Sequence, residues 1–498
     1  MLFLLLTACP GPDVATRDTI TLQAGPPQAG MAEATIDLPI GSPLGGYTSR
    51  CNYLGGDGDV DNRQGAYVNA FNPSAGIQTR PRTQALWLEN GDQDLVLFKA
   101  DLIYSFDGLV EELEDRLEEA TGRSMDGRVV VATSHSHNSY GNFSAQLTYY
   151  LGGDEFNFEN FTRLADTMES VALQAYETRQ PAALGVGITQ DWDPDDNVYS
   201  DRRSENDELT FFEDIETGSY KDPNLWLLRV DTAGGEPIGL FFTFGMHGTI
   251  LGADNAMIST DSTGHVEVSL RERFDDHLVV AHLQGGGGDA SPRGHGDDTY
   301  SRLETVGEYA ADTIYELWAS TPTSSDPIKL ETVSHAIPSA RDDIRVTRDG
   351  TVDWYYPPFD DDPDFAPDEQ IYDDDGNILS PFDEFNAEFG AAFCGSDTPE
   401  IPAGFIGSEI FPYATCTDVG LISRVLLAIF DLSEDELSLP LPESLQSSTT
   451  ATRINSLPVL APDGTQVTDD VLLGFFPGET TAMYVEQFRR RAADELGF

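Results

Sequence analysis

The chain predicts a mixed α/β fold, in part α+β, with sheets flanked by helices. Between about Glu33 and Ala340, apolar runs of strand length alternate with helical stripes. The apolar content of 40% is that of a globular protein with a large core. Several strand-like runs also stop abruptly on a polar or metal-ligating residue, the edge at which sites assemble in open α/β sheets.

The chain opens on MLFLLLTACPGP, an apolar stretch too short to cross a bilayer. Leu6-Thr7-Ala8-Cys9 has the form of a bacterial lipobox, in which the cysteine carries lipid and tethers the protein to a membrane surface. An export signal with an incidental cysteine is the alternative. Both readings place the protein outside the cytoplasm, lipid-anchored at the cell envelope or secreted. Residues 1–9 are assigned to this signal, and 10–30, rich in Pro, Gly, Ala and Thr, to a tether. Residues 31–498 form the folded unit.

Within it, DLVLFKADLIY (94–104) reads as a strand. GLVEELEDRLEEATG (108–122) reads as a helix with Leu109, Val110, Leu113 and Leu117 on one stripe and Gly122 as its stop. VVVATSHSHNSYG (129–141) is a strand that ends at His135 and His137, two of only 8 histidines. NLWLLRVDTAGGEPIGLFFTFGMHG (224–248) is a hairpin around Ala-Gly-Gly-Glu-Pro that delivers His247. HLVVAHLQGGGGDASPRG is a strand running into four glycines, then Asp289 and Ser291. Residues 341–420, acidic and rich in Gly and Pro, form a loop-rich insertion, pinned by a disulfide between Cys394 and Cys416 that leaves Cys51 over. DVLLGFFPGETTAMYVEQFRRRA is a strand ending at Glu479, followed by a helix. No internal sequence repeat is visible.

The charge balance excludes some partners. With 86 acidic and 28 basic residues the net charge is -58, which repels nucleic acid and anionic headgroups. Screening at high salt makes such a surface tolerable, so a salt-adapted protein is the first explanation and calcium binding the second. DGDVDN (57–62) spaces Asp57, Asp59 and Asp61 like the start of a calcium loop, without that loop's Gly and Glu. A structural calcium or magnesium ion there is weighed against a solvated acidic turn. No oligomeric state is assigned.

If the four ligand-bearing strands share a sheet, His135, His247, Ser291 and Glu479 converge. Two histidines and a carboxylate suit zinc, and a zinc ion with an open position activates water. Alternate residues of an extended chain face opposite sides, so His135 and His137 need not both bind metal. The glycines at 285–288 would let backbone N–H groups approach a substrate, as an oxyanion site requires. Taken singly, each has a structural reading: a buried histidine pair, a turn serine, a carboxylate at a helix N-terminus.

Together these blocks resemble one family. TSHSHNSYGNF, FGMHGTILGADNAMISTDSTGHVEVSL, VVAHLQGGGGDASPRG and FFPGETTAMYVEQFRRR are similar, in this order, to the hallmark blocks of the neutral (non-lysosomal) ceramidases. AEATIDLPIGSPLGGYTSR and GIQTRPRTQALWLENGDQDLVLFKADL resemble that family's N-terminal segments. The resemblance implies a catalytic domain over 31–498 and zinc ligands His135, His247 and Glu479. It implies His137 beside the scissile amide, an essential Ser291, and a site-lining Arg203, with Arg202 one step away in SDRRSEND. The implied reaction is hydrolysis of N-acylsphingosine, a ceramide lipid, to sphingosine and fatty acid. The sequence departs from the family at Asn138-Ser139-Tyr140 and at Ile250. It ends at Phe498, short of the family's further tyrosine ligand and C-terminal β-sandwich, so the expectation is a C-terminal part cut short. Two other readings stay open: a zinc hydrolase of another amide or ester on this scaffold, and a lipid-anchored binding protein without catalysis.

Overall fold

A computed structural model describes residues 22–51, 65–91, 93–145, 149–201, 220–275, 277–338 and 446–496, with short strand segments between 345 and 380. The lipobox, most of the tether, the Asp57–Asp61 loop, Arg202 and Arg203, and the two late cysteines lie outside the described residues. So does most of the acidic insertion.

Eleven strands form one sheet. They are β1 (Gln28–Thr35), β2 (Arg82–Glu89), β3 (Asp94–Ala100), β4 (Val129–Thr133), β5 (Gln180–Gln190), β6 (Asn224–Thr232), β7 (Pro237–Phe244), β8 (Val279–Gln284), β9 (Leu330–Pro338), β10 (Gln446–Leu460) and β11 (Gln466–Phe475). The helices that position them are α1 (Asp107–Thr121), α2 (Phe158–Thr178), α3 (Asp261–Arg273), α4 (Thr299–Ser320) and α5 (Ala482–Leu496). The end of the expected tether is already folded: Gly25 pairs with Ile328 and β1 begins at Gln28. The strand expected over 94–104 stops at Ala100, where the chain turns and the Asp101 carboxylate accepts the Arg82 N–H at 2.9 Å.

The main path runs β8-β7-β6-β5-β1-β2-β3-β4. It is joined in the middle by only two residue pairs, Gln28↔Pro181 and Ala29↔Gln180, so the two halves fold face to face. Strand periodicity sorts the side chains accordingly. Leu86, Leu88, Leu95 and Leu97 from one half meet Leu184, Val186, Leu228 and Phe241 from the other. On the outer face of the first half, Trp87, Val96 and Phe98 pack on Leu109, Leu113 and Leu117 of α1 and Leu164 and Met168 of α2. On the outer face of the second, Leu227, Leu240 and Phe242 pack on Val266 and Leu270 of α3 and Ile314 and Leu317 of α4. The result is four layers, α/β/β/α. Each fully buried leucine contributes roughly 1.5–3 kcal/mol.

Although no repeat shows in the sequence, the two halves share one order: three strands, a crossover helix, a fourth strand, an outer helix. β3–α1–β4 and β7–α3–β8 are the two parallel crossovers. Gly122 stops α1 in the left-handed conformation, φ 69°, with its N–H on the Glu118 carbonyl. The hairpin read over 224–248 is β6–β7, antiparallel, closed by Thr232 N–H to the Glu236 carbonyl at 2.7 Å.

A buried charge cluster ties α3 to the inner faces. Lys99 Nζ, fully buried, lies 2.5 Å from Asp101 and 2.7 Å from Glu267. Gln84 donates to Glu267 at 3.0 Å. Burial opposes the Lys99 charge, but Asp101 and Glu267 outweigh it and raise its pKa. Removing the cation leaves two buried carboxylates facing each other. Lys99→Met is therefore expected to destabilise the fold by roughly 3–5 kcal/mol, read from urea unfolding at neutral pH.

His282 of β8 sits in the core against Phe242 and Phe244, its Nε2 3.0 Å from the Phe244 carbonyl. Burial pushes its pKa down to about 3. Unfolded chain takes up the proton below the ordinary value of about 6.5, whereas folded protein does not until much lower. Stability is thus complete above that value and falls as pH drops towards 3. Relative to His282→Gln, the wild type should lose roughly 2 kcal/mol more between pH 7 and pH 4.5 in denaturant titrations.

Candidate metal centre

At one end of the sheet the loops after β4 and β7 approach the segment after β11. His135 Nε2 lies 3.4 Å from Glu479 Oε1, and His247 Nε2 lies 3.2 Å from Glu479 Oε2. His137 Nε2 is 3.1 Å from His135 Nε2, and the ligand atoms of the three histidines all lie within 4.8 Å of one another. The alternation argument, which allowed the His135 and His137 rings to diverge, fails for a local reason. His135 has φ 55°, so the chain is not extended there and both rings face one centre.

Local hydrogen bonds separate the three imidazoles by role. His135 Nδ1 is held by the Ile103 carbonyl at 2.8 Å, and His247 Nδ1 by the Gly287 carbonyl at 2.5 Å. A proton fixed on each Nδ1 leaves a lone pair on each Nε2, the arrangement of a metal-ligating histidine. His137 Nδ1 is buried and, among the described residues, has no hydrogen-bond partner, while its Nε2 faces the His135 Nε2 at 3.1 Å. Burial first, then the neighbouring His135 and His247, lower the His137 pKa well below the usual imidazole value. Burial also works against charge on Glu479, but positive charge and N–H donors on His135 and His247, where present, outweigh it and lower its pKa well below the usual carboxylate value. Imidazole lone pairs beside a carboxylate repel one another unless a cation lies among them, and this donor set fits zinc.

The scaffold around these ligands is built from backbone contacts. The Ser136 backbone bridges Gly248, and His137 N–H donates to the Gly248 carbonyl at 3.0 Å. A side chain on Gly248 would stand 2.7 Å from Ser136 Cα. The four-glycine run has a packing role beside the candidate ligand Glu479. Gly288 N–H donates to the Thr480 carbonyl at 2.9 Å, and Gly285 N–H to the Phe244 carbonyl at 3.1 Å. A Cβ on Gly288 would meet the Glu479 carbonyl at 2.6 Å, and one on Gly286 would meet Ala482 Cα at 3.0 Å. The glycines let the backbone of 479–482 come close, and Asp289 anchors it by accepting the Ala482 N–H at 3.0 Å. They seat Glu479.

Ser291 lies on a short strand opposite Ser200, half-buried, and the adjacent Ala290 carbonyl accepts the His247 N–H at 2.9 Å. Arg203 falls outside the described residues. Three polar residues to which the sequence assigned no role shape the loops: Arg50, Asn138 and Asp261. Asp261, buried at the start of α3, accepts N–H groups from Ile250 (2.9 Å), Leu251 (3.0 Å) and Ser262 (2.7 Å) and the Asn138 amide (2.8 Å). Its place as the first helical residue beside the histidine block is the one signal that could have marked it. Asn138 stood out only as a departure from a motif, and Arg50 carries no local signal. The Asn138-Ser139-Tyr140 run is packed inside: Ser139 reaches the Asp101 carbonyl and Tyr140 the Leu38 carbonyl.

These features define a four-layer α/β protein with a cluster of histidines and a carboxylate that could hold a metal ion at one end of its folded sheet. Residues 60–329, more than half of the chain, match the family described as neutral/alkaline non-lysosomal ceramidase, N-terminal. The chain belongs to that family. His135, His137, His247 and Ser291 fall inside the match and Glu479 beyond it. Among curated relatives, neutral ceramidase B of Dictyostelium discoideum is 21% identical over 243 residues, covering 46% of this chain and 33% of the relative. The neutral ceramidase of Pseudomonas aeruginosa is 26% identical over 235 residues, covering 45% of this chain and 34% of the relative. The chain thus spans about a third of the length of these relatives. The crystal structure of the Pseudomonas aeruginosa neutral ceramidase superposes with a TM-score of 0.57 at 20% identity, over 87% of this chain and 61% of that one. A ceramidase complexed with C2 gives 0.53 at 21% identity, over 66% and 49%. At these identities the likeness is one of fold.

Gly248→Ala should drive the two histidine loops apart. Zinc affinity, measured by chelator competition, is expected to fall roughly 10–100-fold, as for other changes that misalign ligands.

Proposed function

We propose that this protein is a zinc-dependent amidohydrolase that cleaves the amide of a ceramide-like lipid to a sphingoid amine and a fatty acid. The observation that carries this is the convergence of the His135 and His247 Nε2 atoms on Glu479, each imidazole oriented by a backbone carbonyl. Family membership supports the reaction class and a ceramide-like substrate.

His135, His247 and Glu479 would hold the ion, which supplies Lewis acidity towards an amide carbonyl. His137 lies at the centre, its Nε2 3.1 Å from the His135 Nε2. It is the group suited to take a proton from the attacking nucleophile and pass it to the departing amine. A water oxygen adds to the carbonyl carbon, the C–N bond breaks, and the proton removed from water ends on nitrogen. Ser291 either holds the substrate beside His247 or is itself the attacking group, with water then releasing the acyl chain. Arg203 is assigned to the lining of the same site. A lipid on Cys9 would hold the protein at a membrane surface where such substrates reside, outside the cytoplasm.

Metal analysis of the purified protein and a ceramide-cleavage assay test the proposal together. The expectation is one zinc per chain, activity abolished by chelation and restored by zinc, and no measurable turnover in His135→Ala. Wild-type turnover by His135→Ala, or by zinc-free protein, would exclude it. Cleavage of short acyl amides without cleavage of ceramide would keep the zinc chemistry and reject the lipid.

A further inference from the structure

We propose that Arg50 is a positioning residue: one buried guanidinium bridges the two histidine loops and sets the spacing of their metal-binding atoms. This rests on the zinc reading above. Arg50 ends a short 3-10 turn, Thr48–Arg50, far in sequence from both loops. Nη1 donates to the carbonyls of His137 (2.6 Å) and Gly45 (3.2 Å). Nη2 donates to Asn138 Oδ1 (2.7 Å) and to the carbonyls of Gly252 (3.1 Å) and Asn255 (3.2 Å). Nε donates to the Ala253 carbonyl at 3.1 Å. One side of the fork therefore grips the His135–Asn138 loop, and the other grips residues 252–255, which follow His247.

Every one of these acceptors is a neutral oxygen, and among the described residues Arg50 forms no salt bridge. A buried cation with no carboxylate in contact is costly, and Asp261 and Asp254 act on it only through space. Burial pulls the Arg50 pKa down to about 10, which still leaves it charged at neutral pH. A fold brace could be made more cheaply from a neutral amide; what a guanidinium adds is a planar fork that reaches acceptors on both sides at once. The neighbours complete the bridge. The Tyr47 ring lies 4.8 Å from the Arg50 guanidinium and 4.8 Å from the His137 ring, and its hydroxyl donates to the Leu251 carbonyl at 3.1 Å. Asn255 Nδ2 donates to Asn138 Oδ1 at 2.8 Å, on the same oxygen that Arg50 grips. Arg50, Tyr47 and Asn138 thus lock His137 and the chain after His247 into one unit.

Arg50→Lys tests this without removing the charge, because three donors on a single nitrogen cannot span both loops. The readouts are zinc affinity by chelator competition, the visible spectrum of the cobalt-substituted protein, and thermal melting of the metal-free protein. The expected result is a zinc affinity weakened roughly 10–100-fold and a changed cobalt spectrum, with metal-free melting within a few degrees of wild type. In the ceramide assay kcat should fall while KM stays close to wild type. Wild-type zinc affinity and cobalt spectrum in Arg50→Lys would overturn the proposal. So would an affinity loss that tracks the unfolded fraction, since a merely structural arginine behaves that way. If the wild-type protein takes up neither ion, the zinc reading itself fails and this proposal falls with it; that outcome is read on wild type alone.

Discussion

The Ser136–Gly248 backbone bridge is the contact on which the candidate metal centre depends. Imidazoles carried by separate crossovers can share one small volume only if their chains meet backbone to backbone. Any side chain at Gly248 would occupy the space in which Ser136 lies. The same device recurs at the third candidate ligand, Glu479, where Gly286 and Gly288 admit the backbone of 479–482. Absence of side chains at a few positions is what allows the side chains that matter to converge.

The fold places these contacts by using one design in both halves. In the first, His135 follows β4 and its Nδ1 is held by Ile103, just beyond β3. In the second, His247 follows β7 and its Nδ1 is held by Gly287, just beyond β8. Each half thus joins its two parallel strand ends with an imidazole-to-carbonyl hydrogen bond, with donor and acceptor exchanged between halves. Because the halves fold face to face, the two imidazoles present Nε2 to the same space. The polar residues nearby are buried for the same purpose. Asp261 gathers the N–H groups of the loop after His247, while Lys99, Asp101 and Glu267 fasten α3, which carries Asp261, to the inner sheet faces.

Electrostatics divides the molecule sharply. The chain as a whole carries a charge of -58, yet around the centre the buried cation Arg50 contacts only neutral oxygens. Among the described residues Glu479 is the carboxylate that His135 and His247 face, and positive charge beside it lowers its pKa. Acidic charge elsewhere acts on solubility and on partner choice, whereas local pairing decides protonation at the centre.

Much of this was legible in the chain. Strand and helix periodicity located β3, α1, β4 and the β6–β7 hairpin, because each buries an apolar face whose spacing is local. The ligand candidates His135, His247 and Glu479 were legible because each sits just past an apolar run. Sequence alone could not decide that His135 departs from extended geometry, that the glycine run seats Glu479, or that Arg50 spans two loops. It could not show that the two halves repeat one order of elements, since that order survives without matching residues. Those facts arise from contacts between segments far apart in sequence, or from backbone angles that such contacts impose. Local pattern determines which residues are available at the strand ends. Only the folding of the sheet upon itself decides which of those ends meet.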